Sequence, residues 1–99
     1  MPAKFNSRGK QVNIAGVDLL IKPLSLGQGE SLRNDPNLQK DKRGLYYVLE
    51  CSFLLDGSKA FDSLADVEQL EGPTFSDIYD VVADVNCWTE KAAEEVKKN

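Results

Sequence analysis

The segment from residue 44 to residue 55 constrains the fold most, because nine of its twelve residues are apolar. In a chain of 99 residues, which is the size of one domain, a segment of this kind belongs in the centre of the core. Leu45, Val48 and Leu49 fall on one helical face. The spacing predicts a buried helix over about residues 43–55, and a buried strand is the alternative.

A period of two residues marks the segment nearer the N-terminus. Val12 and Ile14 alternate with polar residues, and a second alternating run follows Gly16, which can take the positive φ of a tight turn. Proline has no amide hydrogen to donate, so Pro23 ends the second run. We therefore expect a β-hairpin over about residues 10–23. A lone hairpin is marginal in water and must pack on helices or pair with another chain.

Residues that favour N-cap positions precede the other helical segments. Ser25, with Gln28 three residues later, has the spacing of a capping box, and Thr74 precedes the longest of these segments. Further helices are predicted over about residues 25–33, 63–70, 74–86 and 89–98. Residues 1–9 are expected to form a flexible arm. The prediction is an α+β fold, mostly α-helical, in a single domain over residues 10–99 with an N-terminal β-hairpin.

Composition excludes several kinds of catalytic site. The chain has no histidine and only two cysteines, Cys51 and Cys87. It therefore cannot supply a Ser-His-Asp triad, a Cys–His dyad or a His-bearing zinc site, and two thiols are too few for a disulfide scaffold. Its carboxylates lie in charged segments rather than in the apolar surroundings that tune an acid–base pair. We expect no enzymatic activity, no metal and no cofactor.

Charge is divided unevenly along the chain. Residues 1–43 carry eight basic and four acidic side chains, whereas residues 44–99 carry four basic and twelve acidic ones. The acidic half argues against nucleic-acid binding, but it permits contact with a basic protein or head-to-tail association of like chains. No apolar run is long enough to span a bilayer, and the N-terminal residues lack the apolar core of a signal peptide. We therefore expect a cytoplasmic protein without membrane contact.

Two groups of side chains are candidates for binding a partner. Asp77, Asp80 and Asp84 fall on one stripe of a predicted helix, which is either a solvated face or a contact for a basic partner. The second group is apolar, and its members either pack in the core or anchor a partner. It comprises Leu20, Tyr46, Tyr47, Phe53 and Trp88. Leu20 lies on the face of the hairpin opposite the main apolar row, so a separate contact must bury it.

Several short motifs follow one another in an order typical of one known family. In chain order they are Leu24-Ser25, Leu54-Leu55-Asp56-Gly57, Phe61, Asp66-Val67-Glu68-Gln69-Leu70, Val85-Asn86, Thr89-Glu90 and Lys97-Lys98-Asn99. Over about residues 10–99 the layout resembles the small tail assembly chaperones of long-tailed bacteriophages and prophages. The chain departs from that pattern at Cys87, where such proteins tend to carry a glycine after the asparagine.

The resemblance implies a non-catalytic protein that binds the tape measure protein in the cytoplasm of the host bacterium and is absent from the mature virion. A very long helical protein with apolar stripes must stay covered until the tail tube encloses it. The tail tube protein and a second copy of the chain are further candidate partners. The alternative is a structural virion component, such as a head–tail connector or a minor tail protein.

Overall fold

The structure, a computed structural model, describes residues 8–38 and 42–88. In chain order the elements are β1 (Lys10–Ile14), β2 (Val17–Ile21), α1 (Leu26–Asn34), α2 (Arg43–Cys51), β3 (Ser52–Leu54), α3 (Leu64–Glu68) and α4 (Gly72–Val85). The strands form one antiparallel sheet in the order β1-β2-β3. This confirms the predicted α+β fold, mostly helical with an N-terminal hairpin.

The hairpin closes through a loop of two residues. Ile14 pairs with Val17, and the residues between them, Ala15 and Gly16, have φ values of 52° and 84°. Positive φ at both central residues matches the right-handed twist of the flanking strands. Glycine adopts this geometry without strain, whereas the Cβ of Ala15 makes it unfavourable there.

The predicted helix over residues 43–55 is wrong beyond Cys51. There the chain turns into β3, whose Phe53 pairs with Leu20 and whose Ser52 pairs with Ile21. The amides and carbonyls along the open edge of β2 need partners, and an extended segment supplies them. A run this apolar satisfies the pattern of a buried helix and of a buried strand equally well, so each alternative holds for a part of it.

The other helices differ from their predicted bounds at the ends. The capping box is confirmed, because the hydroxyl of Ser25 accepts from the amide of Gln28 over 3.1 Å and the amide of Ser25 donates to the Gln28 side chain over 2.9 Å. Helix α4 begins at Gly72 rather than at Thr74, since Pro73 has a φ suited to the first turn and needs no amide partner there. Helix α3 is shorter than the predicted 63–70. The predicted helix over 89–98 and residues 1–7 of the arm lie outside the described residues.

The core lies between the inner face of the sheet and the helices α2, α3 and α4. Its buried members are Leu19, Ile21, Val48, Cys51, Val67, Ile78, Val82 and Val85. Helix α1 takes little part in it, since Gly29 is its single buried residue and Leu26 is 79% exposed. The first helix therefore presents most of its surface to solvent.

Candidate partner-binding surface

The side chain of Asn86 joins three segments. Its oxygen accepts a hydrogen bond from the amide of Leu24 over 2.9 Å, and its nitrogen donates to the carbonyl of Val82 over 2.8 Å. The same nitrogen lies 3.9 Å from the sulfur of Cys51. The chain leading into α1, the last turn of α4 and the end of α2 are thereby fixed together.

Helix α4 ends in a Schellman motif that orients the residues after it. The amide of Cys87 donates to the carbonyl of Asp84 over 3.1 Å, and the amide of Trp88 donates to the carbonyl of Ala83 over 2.8 Å. Cys87 has a φ of 60° and so occupies the left-handed position where this motif usually has glycine. The cysteine noted in the sequence at this point therefore carries backbone strain.

Trp88 is held at the surface by this motif and by an aromatic contact. Its ring lies 4.8 Å from the ring of Tyr47, measured between centroids, at an interplanar angle of 53°. This geometry is favourable for aromatic pairs. The indole is still 43% exposed, which leaves area for a partner. The structure thus brings together two of the aromatic residues that the sequence analysis singled out.

A concave surface, the Trp88 cleft, lies between the exposed indole and α1. It has a volume of about 170 Å³ and is lined by Leu24, Ser25, Leu26, Gly29, Arg33, Asn86 and Trp88. Tryptophan and arginine are among the residues that most often dominate the energy of protein interfaces. The cleft can bind an apolar side chain beside the indole and a carboxylate beside Arg33.

A larger concave surface, the α1 groove, lies on the other side of the same helix. It has a volume of about 440 Å³ and is lined by Gly27, Gln28, Ser31, Leu32 and Glu50. Positions 27, 28 and 31 fall on a different helical face from positions 26, 29 and 33. Helix α1 therefore projects between two concave surfaces and is covered by neither α2 nor α4 along most of its length.

Two further apolar candidates lie on the sheet face that points away from the core, which we call the outer sheet face. Phe53 and Leu20 are neighbours there across β2 and β3. The ammonium nitrogens of Lys22 and Lys59 lie 5.0 and 5.1 Å from the centroid of the Phe53 ring. Lys59 also contacts Glu50 over 3.2 Å, which connects the outer sheet face to the α1 groove.

The other predicted residues are placed separately. Asp77 and Asp80 are exposed on α4, and Asp84, on the same stripe, forms an ion pair of 3.7 Å with Lys10. Tyr46 is half-buried on α2 and lines neither the Trp88 cleft nor the α1 groove. Sequence reasoning missed Leu26, Arg33 and Glu50. Of these, Glu50 had a visible signal, because it is the one charged residue between positions 44 and 55.

Two titratable groups among the described residues have shifted pKa values, Cys51 and Asp56. Burial is the main cause that raises the pKa of the Cys51 thiol to about 11, and a buried protonated thiol is a poor nucleophile. Hydrogen bonds from Ser58 lower the pKa of Asp56, which lies in an exposed turn. Within residues 8–38 and 42–88, no group of three or more Cys, Asp and Glu side chains is positioned to hold a metal ion.

Comparison of the chain with protein-family models, with curated proteins and with solved structures finds no match in any of the three. In the part of the chain that the structure describes, no helix combines the length and the apolar character needed to cross a membrane.

Proposed function

We propose that this chain is a non-catalytic tail assembly chaperone of a long-tailed phage or prophage. It binds the tape measure protein in the cytoplasm of the host bacterium and is released before the virion is complete. The order of sequence motifs described above supports the family. The structural observation that supports it most is helix α1, which is exposed between the Trp88 cleft and the α1 groove.

The two concave surfaces suit a helical partner with an apolar stripe. A partner helix laid against α1 would bury Leu26, which is 79% exposed, and the exposed part of Trp88. Large exposed apolar side chains beside concave surfaces are typical of protein-binding sites. Gly27 and Ser31 add little side-chain bulk, so a second helix can approach α1 closely.

Arg33 gives this surface a polar component. It lies in the last turn of α1 and lines the Trp88 cleft. A guanidinium group forms paired hydrogen bonds with a carboxylate, so a partner helix with an acidic residue beside its apolar stripe fits best. Apolar anchors and one directional charge contact together allow reversible binding, which a chaperone needs.

Co-expression with the tape measure protein tests the proposal. The tagged chain is produced together with a candidate tape measure protein, and the amount of soluble, co-purified tape measure protein is measured. We expect co-purification with the wild-type chain and at least a tenfold loss with the double variant Leu26→Asp, Trp88→Ala. Leu55→Asp is the matched control, because Leu55 is 50% exposed but lines neither concave surface.

Two results would overturn the proposal. One is a tape measure protein that stays insoluble and uncaptured in the presence of the wild-type chain. The other is a stoichiometric amount of the chain in purified phage particles, measured by quantitative mass spectrometry, which is the behaviour of a structural virion component.

A further inference from the structure

The domain carries complementary charges on two opposite sides. The outer sheet face presents Lys22 and Lys59 around Phe53, and the solvent side of α4 presents Asp77 and Asp80. We propose that the outer sheet face binds the acidic side of α4 of a second copy, so that the chains associate head to tail. This inference goes beyond the proposed function and does not depend on it.

The outer sheet face holds an apolar pair with two lysines beside Phe53, and Asp18, on the same face of β2, accepts a hydrogen bond from Asn13. Leu20 and Phe53 are adjacent on β2 and β3, both are half-buried, and neither belongs to the core between the sheet and the helices. The two lysine ammonium groups lie about 5 Å from the same ring centroid, so they are at most about 10 Å apart. Lys59 also forms an ion pair with Glu50, whereas Lys22 forms no ion pair with a described residue.

The solvent side of α4 has the matching arrangement. Asp77 and Asp80 are three positions apart, which places their Cβ atoms about 5–6 Å from each other on one side of a helix. Both are exposed, and neither forms an ion pair within the described residues. Ser76 is exposed beside them and is small enough to let the helix approach the Leu20–Phe53 pair. Each carboxylate can then reach one of the two ammonium groups.

The fold places these surfaces so that one copy cannot pair them internally. The buried residues Ile78, Val82 and Val85 hold α4 in the core with Leu19 and Ile21 of the inner sheet face. The solvent side of α4 therefore points away from the outer sheet face of the same copy. Association between unlike surfaces is heterologous, so it builds rings or open chains rather than a closed symmetric dimer.

Reciprocal charge exchange tests the inference with the purified chain alone. Sedimentation velocity is measured from about 10 µM to 1 mM, the range in which a small interface exchanges between free and bound states. The wild-type chain is expected to associate with increasing concentration. The variants Lys22→Glu, Lys59→Glu and Asp77→Lys, Asp80→Lys are each expected to remain monomeric, because both of their surfaces then carry the same sign.

Mixing the two variants provides the decisive arm. An acidic sheet face then meets a basic helix, and the unchanged surfaces of the two variants also match, so the mixture is expected to assemble again. Recovery in the mixture also shows that both variants are folded. Lys42→Glu and Glu30→Lys are control variants expected to associate like the wild type.

Three results would overturn the inference. They are a wild-type chain that is monomeric at every concentration, association that survives both exchanges, and a mixture that stays monomeric. If the outer sheet face instead binds an acidic helix of another protein, the wild-type chain alone stays monomeric, which is the first of these results. The tape measure protein is absent from the experiment, so failure here leaves the proposed function untouched.

Discussion

The side-chain oxygen of Asn86 accepts a hydrogen bond from the backbone amide of Leu24 over 2.9 Å, across 62 positions of sequence. Asn86 also donates a hydrogen bond from its side-chain nitrogen to the carbonyl of Val82. One part-buried side-chain amide therefore both accepts and donates a hydrogen bond. The orientation of α1 and of both concave surfaces beside it depends on this contact, since Leu24 directly precedes the Ser25 cap.

Asn86→Asp is expected to destabilise the fold. The new carboxylate can still accept from Leu24, but it loses the donor to Val82 and places negative charge against a carbonyl oxygen. Loss of a part-buried hydrogen bond of this kind costs about 1–3 kcal/mol. Urea unfolding followed by circular dichroism measures the change. Asn37→Asp, at an exposed position, is the control, and equal unfolding midpoints for the two variants would contradict the assigned role of Asn86.

Cys87→Gly is expected to stabilise the fold. Cys87 has a φ of 60°, where a Cβ atom is unfavourable by roughly 1–2 kcal/mol, and removing that atom relieves the strain. Part of the gain is offset because glycine has more freedom in the unfolded chain, so about 0.5–1 kcal/mol should remain. Thermal unfolding compares this variant with Cys87→Ala, which keeps the Cβ. Equal melting temperatures for the two variants would show that the backbone there is not strained.

Ser52→Ala is expected to leave the fold as stable as the wild type or more stable by about 1 kcal/mol. The hydroxyl of Ser52 is fully buried and has no hydrogen-bond partner among the described residues. An unsatisfied buried hydroxyl is unfavourable, and alanine removes it with little change in shape. The comparison is Ser58→Ala, which loses a hydroxyl that donates to Asp56 over 2.6 Å and should be destabilising. A clear loss of stability in Ser52→Ala would contradict the finding that the buried hydroxyl is unpaired.

The buried thiol of Cys51 predicts a loss of stability at alkaline pH. Its pKa rises from an ordinary value near 9.0 to about 11 in the folded chain, mainly through burial, so folding favours the protonated form. This contribution is complete below pH 9 and declines as the pH rises from about 9 to about 11, by about 2–3 kcal/mol in total. The contribution of the thiol is isolated by urea unfolding at a series of pH values, measured for the wild type and for Cys51→Ala. Identical pH profiles for the two proteins would contradict the assignment.

Sequence patterns predicted the elements that depend on local chemistry. The hairpin followed from alternation on both sides of Gly16, and the start of α1 followed from the spacing of Ser25 and Gln28. The boundary at Cys51 was missed because the pairing of Phe53 with Leu20 joins segments far apart in the chain. No local signal distinguishes an apolar strand that finds such a partner from the last turn of a helix.

The candidate surface was predicted in part. Trp88 and Tyr47 were named from residue type alone, and their contact depends on the turn after α4, which the sequence does not show. The α1 groove was missed because Gly27 and Ser31 contribute by their small size, which leaves no pattern in a polar helix. Arg33 and Leu26 became candidates only once α1 was seen to be exposed.

Fluorescence of Trp88 tests the central claim most directly, because it is the only tryptophan in the chain and it is 43% exposed at the proposed surface. The chain is titrated with tryptophan-free helical fragments of the tape measure protein, while emission and quenching by iodide are recorded. We expect a saturable blue shift and protection from iodide with the apolar fragments, and neither effect with a fragment whose apolar stripe is replaced by serine. A Trp88 emission that stays the same while every fragment fails to bind would contradict the account.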